Sequence, residues 1–143
     1  RGDVPLFLGD VHDAAFVNTI IKRMTCGAVS LAGLVDLRLT VGIISLLDGL
    51  VCNDSGPMHL AGALSVPFAA LFGPTHPDLG FVPGYPYGLA VHSNAPCSPC
   101  SLHGAAPCRY ESRRCMEGIT GDRIIRELDR MMALKKMEAR SGR

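Results

Sequence analysis

Apolar and polar positions alternate along this chain in short blocks that read, in turn, as strands and helices. Pro5–Leu8 predicts a strand ending at Gly9. In Ala14–Arg23, the residues Ala15, Phe16, Val17, Ile20 and Ile21, with Met24 beyond, fit one face of a helix. Cys26–Leu31 predicts a second, weaker strand with Gly27 and Gly33 near its ends. Asp36 is placed to cap a helix running to about Leu47, since its carboxylate can accept from the free amides of the first turn. That helix is apolar nearly all round, which predicts little solvent exposure, although Thr40 and Gly42 lower its propensity.

After Asp48-Gly49, the run Leu50–Cys52 predicts a buried strand, with a tight turn at Asp54–Gly56 and a helix from Pro57 through Leu64. Phe68–Phe72 is the next strand, closed by Gly73-Pro74-Thr75, and Leu89–His92 is one more. Strands separated by helices imply parallel pairing with right-handed crossovers, an α/β doubly wound sheet. The expected organisation is one domain over 1–143. It has a sheet-and-helix core (1–92), a Cys-rich irregular segment (93–119) and a C-terminal helix (120–137). Thr120 is placed to cap that helix, Ile124, Leu128, Met131 and Leu134 line one face, and Lys136–Arg143 is expected to fray.

Composition narrows the class. At 143 residues, 48% of them hydrophobic, the chain is long enough to bury a proper core. A formal net charge of +1 supplies no strong pull toward nucleic acid or an anionic membrane. No apolar run approaches the roughly 20 residues of a membrane span, and no signal-peptide order opens the chain, so a cytosolic location is expected. The start lacks Met and enters a strand almost at once, which reads as part of something longer.

The chemistry concentrates at the strand–turn–helix of residues 51–64. A helix opening just past a strand's carboxyl end aims unpaired amides and the positive end of its dipole at one point, where a phosphate is favoured. Pro57 has no N–H, so the donors would be Gly56, Met58 and His59. An ordinary strand-to-helix turn is the other reading. No Gly-x-Gly-x-x-Gly follows a strand, which disfavours an NAD site. Cys97, Cys100, Cys108 and Cys115 fall in the irregular segment, while Cys26 and Cys52 stand apart. The Cys-x-x-Cys pair suits a structural zinc, with Cys108 and Cys115 too widely spaced for a second knuckle. Free or transiently oxidised cytosolic thiols are the leading reading, and stable disulfides fit least.

Asn53-Asp54-Ser55-Gly56-Pro57-Met58-His59, followed by Leu71-Phe72-Gly73-Pro74-Thr75, Pro96-Cys97-Ser98-Pro99-Cys100 and Arg114-Cys115-Met116, resembles the bacterial ADP-heptose:lipopolysaccharide heptosyltransferases, glycosyltransferase family nine. The resemblance covers almost the whole chain. It implies a Rossmann-like domain, the carboxy-terminal donor-binding half of a type B glycosyltransferase entered after its first strand and helix. By the same resemblance, Ser55, Gly56, Met58 and His59 would cradle the diphosphate and Asp54 would face the heptose. His59 would stabilise the leaving ADP, with a neutral core histidine as the alternative. Asp13 would take the ribose or else cap a helix. Val35 would pack on adenine or simply in the core, and Thr75 would lie near the sugar or brace a turn.

Departures are Gly9-Asp10-Val11-His12-Asp13 for the usual Gly-Gly-Pro-x-Glu, and His76 for an acidic residue. The implied partners are ADP-heptose or a related nucleotide sugar and, through an amino-terminal domain carrying the catalytic base, a lipid-linked saccharide acceptor at the inner membrane. No cofactor is required, and this piece alone would not turn over. The alternative is a non-catalytic or degenerate nucleotide-binding module retaining only the fold.

Overall fold

The computed structural model describes residues 2–82, 84–104 and 107–141. The chain divides into two compact units, Arg1–Ile43 and Ile44–Arg143.

In the first unit, β1 (Leu6–Phe7) pairs in parallel with β2 (Val29–Ser30), and α1 (Ala14–Ile21) lies between them in sequence and packs against β2. Both strands are shorter than their apolar runs. The ladder is nonetheless longer than the two-residue cores, because the amides of Val29, Leu31 and Gly33 donate to the carbonyls of Pro5, Phe7 and Gly9 at 2.9–3.0 Å. Gly33 has φ of +73°, and a Cβ there would press on Val11 Cα, so the position demands glycine.

The inward face of α1 differs from the expected one. Val17 is buried and Ile20, Ile21 and Met24 are half-buried, whereas Phe16 is 68% exposed. At 100° per residue, Val17, Ile21 and Met24 stay within about 40° of one line while Phe16 falls 100° away. The helix α2 (Leu37–Ser45), whose last turn contains the division between units, starts at Asp36, whose Oδ1 accepts the Leu39 amide at 2.8 Å as expected of an N-cap. Its expected burial is not found. Only Ile44 is fully buried, and Leu37 is 71% exposed.

In the second unit, three parallel strands stand in the order β3 (Leu50–Asn53), β4 (Phe68–Phe72), β5 (Gly88–His92). The register pairs Val51 with Ala69 and Ala69 with Leu89. The fold is thus α/β with parallel sheets, in two hydrogen-bonded groups. β4 is central, and Phe68, Ala69, Ala70 and Phe72 are completely buried, which explains its unbroken apolar sequence. β3 was expected to be buried. As the outer strand it alternates instead, with Val51 exposed.

The helix α3 (Gly56–Ala63) joins β3 to β4 and packs on both. It ends in a Schellman closure, in which Val66 N–H donates to Ala61 C=O at 2.8 Å and Ser65 N–H to Gly62 C=O at 3.0 Å. Ser65 holds φ of +54°, where an L side chain is strained. Ser65→Gly is therefore expected to raise stability by about 0.5–1 kcal/mol, read as a higher urea midpoint at unchanged slope.

The short helix α4 (Arg114–Glu117) packs on β4, and α5 (Gly121–Ser141) packs on all three strands. Thr120 Oγ1 accepts the Arg123 amide at 3.4 Å, consistent with its expected cap. Two expectations for α5 are corrected. Its inward line is Ile124, Leu128, Met131 and half-buried Lys135, while Leu134 is exposed, because Leu134 sits 80° off that line and Lys135 only 20°. Nor does the helix end near Lys136. It continues to Ser141, and Tyr87 O–H donates to Glu138 at 2.6 Å, tying down the last turns.

Candidate functional site

β3 and β4 end side by side, and the turn after each opens into the same space. Asp54 N–H still donates to Leu71 C=O at 3.2 Å, the last rung between the two strands. Beyond it Ser55 is extended at φ −160°, ψ 177°, reversing the chain into α3. Ser55 does not cap the helix with its side chain; its hydroxyl donates to Asn53 C=O at 3.2 Å. The first helical turn is tightened, with Met58 N–H donating to Ser55 C=O at 3.0 Å.

That bond corrects the expected donor set. Met58 N–H is taken and its side chain is fully buried, so Met58 braces the turn from below and does not face a ligand. Gly56 stands at the first helical position, where its amide has no partner within the helix, and both Gly56 and His59 are exposed.

A cavity of about 710 Å³ lies over this turn. Asp54, Ser55, Gly56 and His59 line it from α3's end, and Gly73, Pro74 and Thr75 line it from the loop after β4. Leu102, His103, Cys108 and Arg113 line it from the Cys-rich segment. The structure thus brings together five of the expected site residues: Asp54, Ser55, Gly56, His59 and Thr75. His59 is exposed toward the cavity, which removes the reading of it as a core histidine. Thr75 is buried at the cavity's edge. Asp13 and Val35 belong to the first unit. Asp13 accepts the Asp10 amide at 3.0 Å through Oδ2 and makes no side-chain bond into α1, so it closes a turn with Asp10 and does not cap the helix. Val35 is half-buried.

Arg113 and His103 were missed by sequence reasoning. Their only signal was a cation and an imidazole between the cysteines. What turns Arg113 toward the cavity is the left-handed backbone at Glu111 (φ 58°) and Arg113 (φ 40°), which folds residues 108–115 back on themselves.

Several groups around the sheet are electrostatically displaced. Burial, then the nearby Asp54 carboxylate, pushes the Cys52 thiol up to about 12, so it stays a protonated core residue. Burial also lowers His92, with the positive charges of His76 and Arg123 adding to the effect and Asp78 opposing it. The His92 and His76 rings meet edge to face at 4.6 Å, Arg123 Nη1 donates to His92 C=O at 2.6 Å, and His92 Nδ1 is buried without a partner.

A folded-state pKa below the unfolded one means that the unfolded chain takes up its proton first. This contribution to stability is therefore complete above about 6.5 and drains away as pH falls below it. The urea midpoint of the parent should consequently drop more steeply from pH 7 to pH 5 than that of His92→Gln. Equal slopes would remove the assignment.

The Cys-rich segment is anchored beside the cavity. Ser98 O–H donates to the carbonyls of Gly73 (2.7 Å) and Thr75 (3.2 Å), and the amides of Cys100 and Ser101 donate to Pro74 C=O. Among the described residues, no group of three or more His, Cys, Asp or Glu stands ready as a metal-ligand set, and no helix is long and apolar enough to cross a membrane.

Comparison with known proteins bears on this site. The chain is 32% identical over 108 residues to lipooligosaccharide heptosyltransferase 2 of Haemophilus ducreyi, covering 73% of this chain and 30% of that protein. It is 42% identical over 82 residues to lipopolysaccharide heptosyltransferase 1 of Pseudomonas aeruginosa, covering 54% and 22%. In three dimensions it is similar to ADP-heptose lps heptosyltransferase II of E. coli, with a TM-score of 0.71 at 26% identity over 92% of this chain and 37% of that one. It also shares its fold with a family 9 glycosyltransferase of Veillonella parvula, with a TM-score of 0.74 at 20% identity over 90% of this chain and 36% of that one. The chain spans about a third or less of the length of these relatives. Residues 1–107 match the sequence profile of glycosyltransferase family 9 (heptosyltransferase), and with the parallel α/β architecture described above the chain belongs to that family.

Proposed function

We propose that the cavity over α3 holds the diphosphate of a nucleotide-sugar donor, ADP-heptose or a near relative. This chain would then be the donor-binding part of an inverting heptosyltransferase acting on the lipopolysaccharide inner core. One observation carries the reading. The amide-bearing first turn of α3 at Gly56, the His59 side chain and the Asp54 carboxylate all border one open cavity at the carboxyl ends of two parallel strands. Ligands of open α/β sheets collect at such a place.

In this reading the Gly56 amide and the His59 ring donate to phosphate oxygens and Asp54 accepts from sugar hydroxyls. Arg113 adds a positive charge from the opposite wall. The same donors favour the transfer step, because negative charge grows on the departing diphosphate as the bond to the anomeric carbon breaks. The acceptor hydroxyl attacks that carbon from the opposite face and its proton passes to a base on another domain, so this chain alone binds without turnover. Asp13 toward the ribose, Val35 toward adenine and Thr75 toward the sugar are carried by the family resemblance. The reading invokes no metal at the diphosphate, and the names of the relatives support both the donor and the lipopolysaccharide acceptor.

Isothermal calorimetry with ADP tests it. Saturable binding, with a dissociation constant of about 10–1,000 μM for this partial site, is expected. No heat at millimolar ADP would overturn the reading.

A further inference from the structure

Resting on the diphosphate placement above, we propose that Phe81 and His103 form a platform for the sugar of the donor, so that the chain prefers a nucleotide sugar over the bare nucleotide. The two rings come from distant segments and meet at the cavity wall, their centroids 6.1 Å apart and their planes tilted by 47°. They border the same cavity as Asp54 and His59.

The chain holds this wall from both sides. After β4, the 3₁₀ turn Pro77–Leu79 ends at left-handed Gly80 (φ +82°), and Phe81 follows at once. In the Cys-rich segment, the amides of Cys100 and Ser101 both donate to Pro74 C=O, at 2.9 and 3.2 Å. That pins the chain, two residues before His103, to the loop that leads into Phe81. Leu102 borders the same cavity and is 55% exposed, while Phe81 is 37% exposed. Apolar side chains left open to solvent and gathered at one cavity are a surface for a ligand to cover.

The chemistry of this wall selects the sugar. Phosphate is served by the turn into α3, and a surface of aromatic and aliphatic carbon gives an anion nothing to bond. Rings tilted by 47° leave no parallel slot for a flat base. A sugar ring is puckered, with C–H bonds on one face and hydroxyls around its edge. The C–H face can rest on Phe81 while the hydroxyls reach the Asp54 carboxylate and the His103 imidazole.

Calorimetry of the full chain with ADP and with ADP-heptose separates the two placements. The parent should bind ADP-heptose about three- to tenfold more tightly than ADP. Phe81→Ala should erase that preference and leave ADP affinity within about twofold, His103→Ala should reduce the preference, and Phe81→Trp should keep it. The chain contains no tryptophan, so the indole of Phe81→Trp is also a unique reporter, whose emission ADP-heptose should change and ADP should not. Should Phe81→Ala fail to fold, that emission decides. An unchanged preference in Phe81→Ala, an equal loss for both ligands, or equal emission changes with both would overturn the platform while leaving the diphosphate site standing. Neither ligand binding the parent at millimolar concentration would overturn the diphosphate placement as well.

Discussion

Gly88→Ala is expected to destabilise the chain by about 3 kcal/mol, at the upper end for adding one methyl to a packed interior. A Cβ at Gly88 would overlap the Cζ end of the Phe68 ring, which is completely buried at the start of the central strand. Phe68 has nowhere to go, since Tyr85 packs on it edge to face at 5.9 Å and Gly88 is its register partner on β5. Phe68→Ala should cost about 4 kcal/mol through the void it leaves. The two changes should not add. In Phe68→Leu/Gly88→Ala the smaller side chain makes room for the new methyl, and the double variant should recover about 1–2 kcal/mol relative to the sum of the single costs. Urea unfolding of the four proteins measures this, and simple additivity would show that Gly88 and Phe68 are not in the tight contact described.

His59→Ala should weaken ADP binding about tenfold or more, as expected when a hydrogen bond to a charged group is lost, and Asp54→Ala should weaken binding of the ADP-sugar while leaving ADP itself little changed. Both side chains border the cavity without holding the core together, so their unfolding midpoints should stay near the parent's. Met58→Leu is the contrast, since it alters a buried side chain whose amide is already committed to Ser55 C=O and should cost some stability while leaving affinity within about twofold. Arg113→Gln should reduce affinity most at low salt, because its exposed charge acts through space. If ADP binds the parent but His59→Ala binds it equally well, the nucleotide sits elsewhere on the chain.

The elements most legible in the sequence are those whose burial follows from local pattern. The unbroken apolar run Phe68–Phe72 became a central strand because a strand covered on both faces has no polar positions to alternate. Asp36 and Thr120 cap as read, since a cap depends on residues three apart. The Asp54–His59 turn faces open space as its Gly-Pro start suggested. The misreadings share one cause. Phe16, Leu37 and Leu134 are apolar, yet which stripe of a helix is covered depends on what packs against it.

From local chemistry alone, then, the chain determines its parallel α/β character and the amide-bearing mouth of α3, because strand pattern, turn glycine and helix start are all written within a few residues of one another. Only the tertiary structure decided that Arg113 would reach the same cavity and that Cys108 and Cys115 would line one pocket with Cys97 and Cys100. Each of these depends on a long-range closure or on two left-handed residues reversing the chain, and neither leaves a periodic mark in the order of side chains.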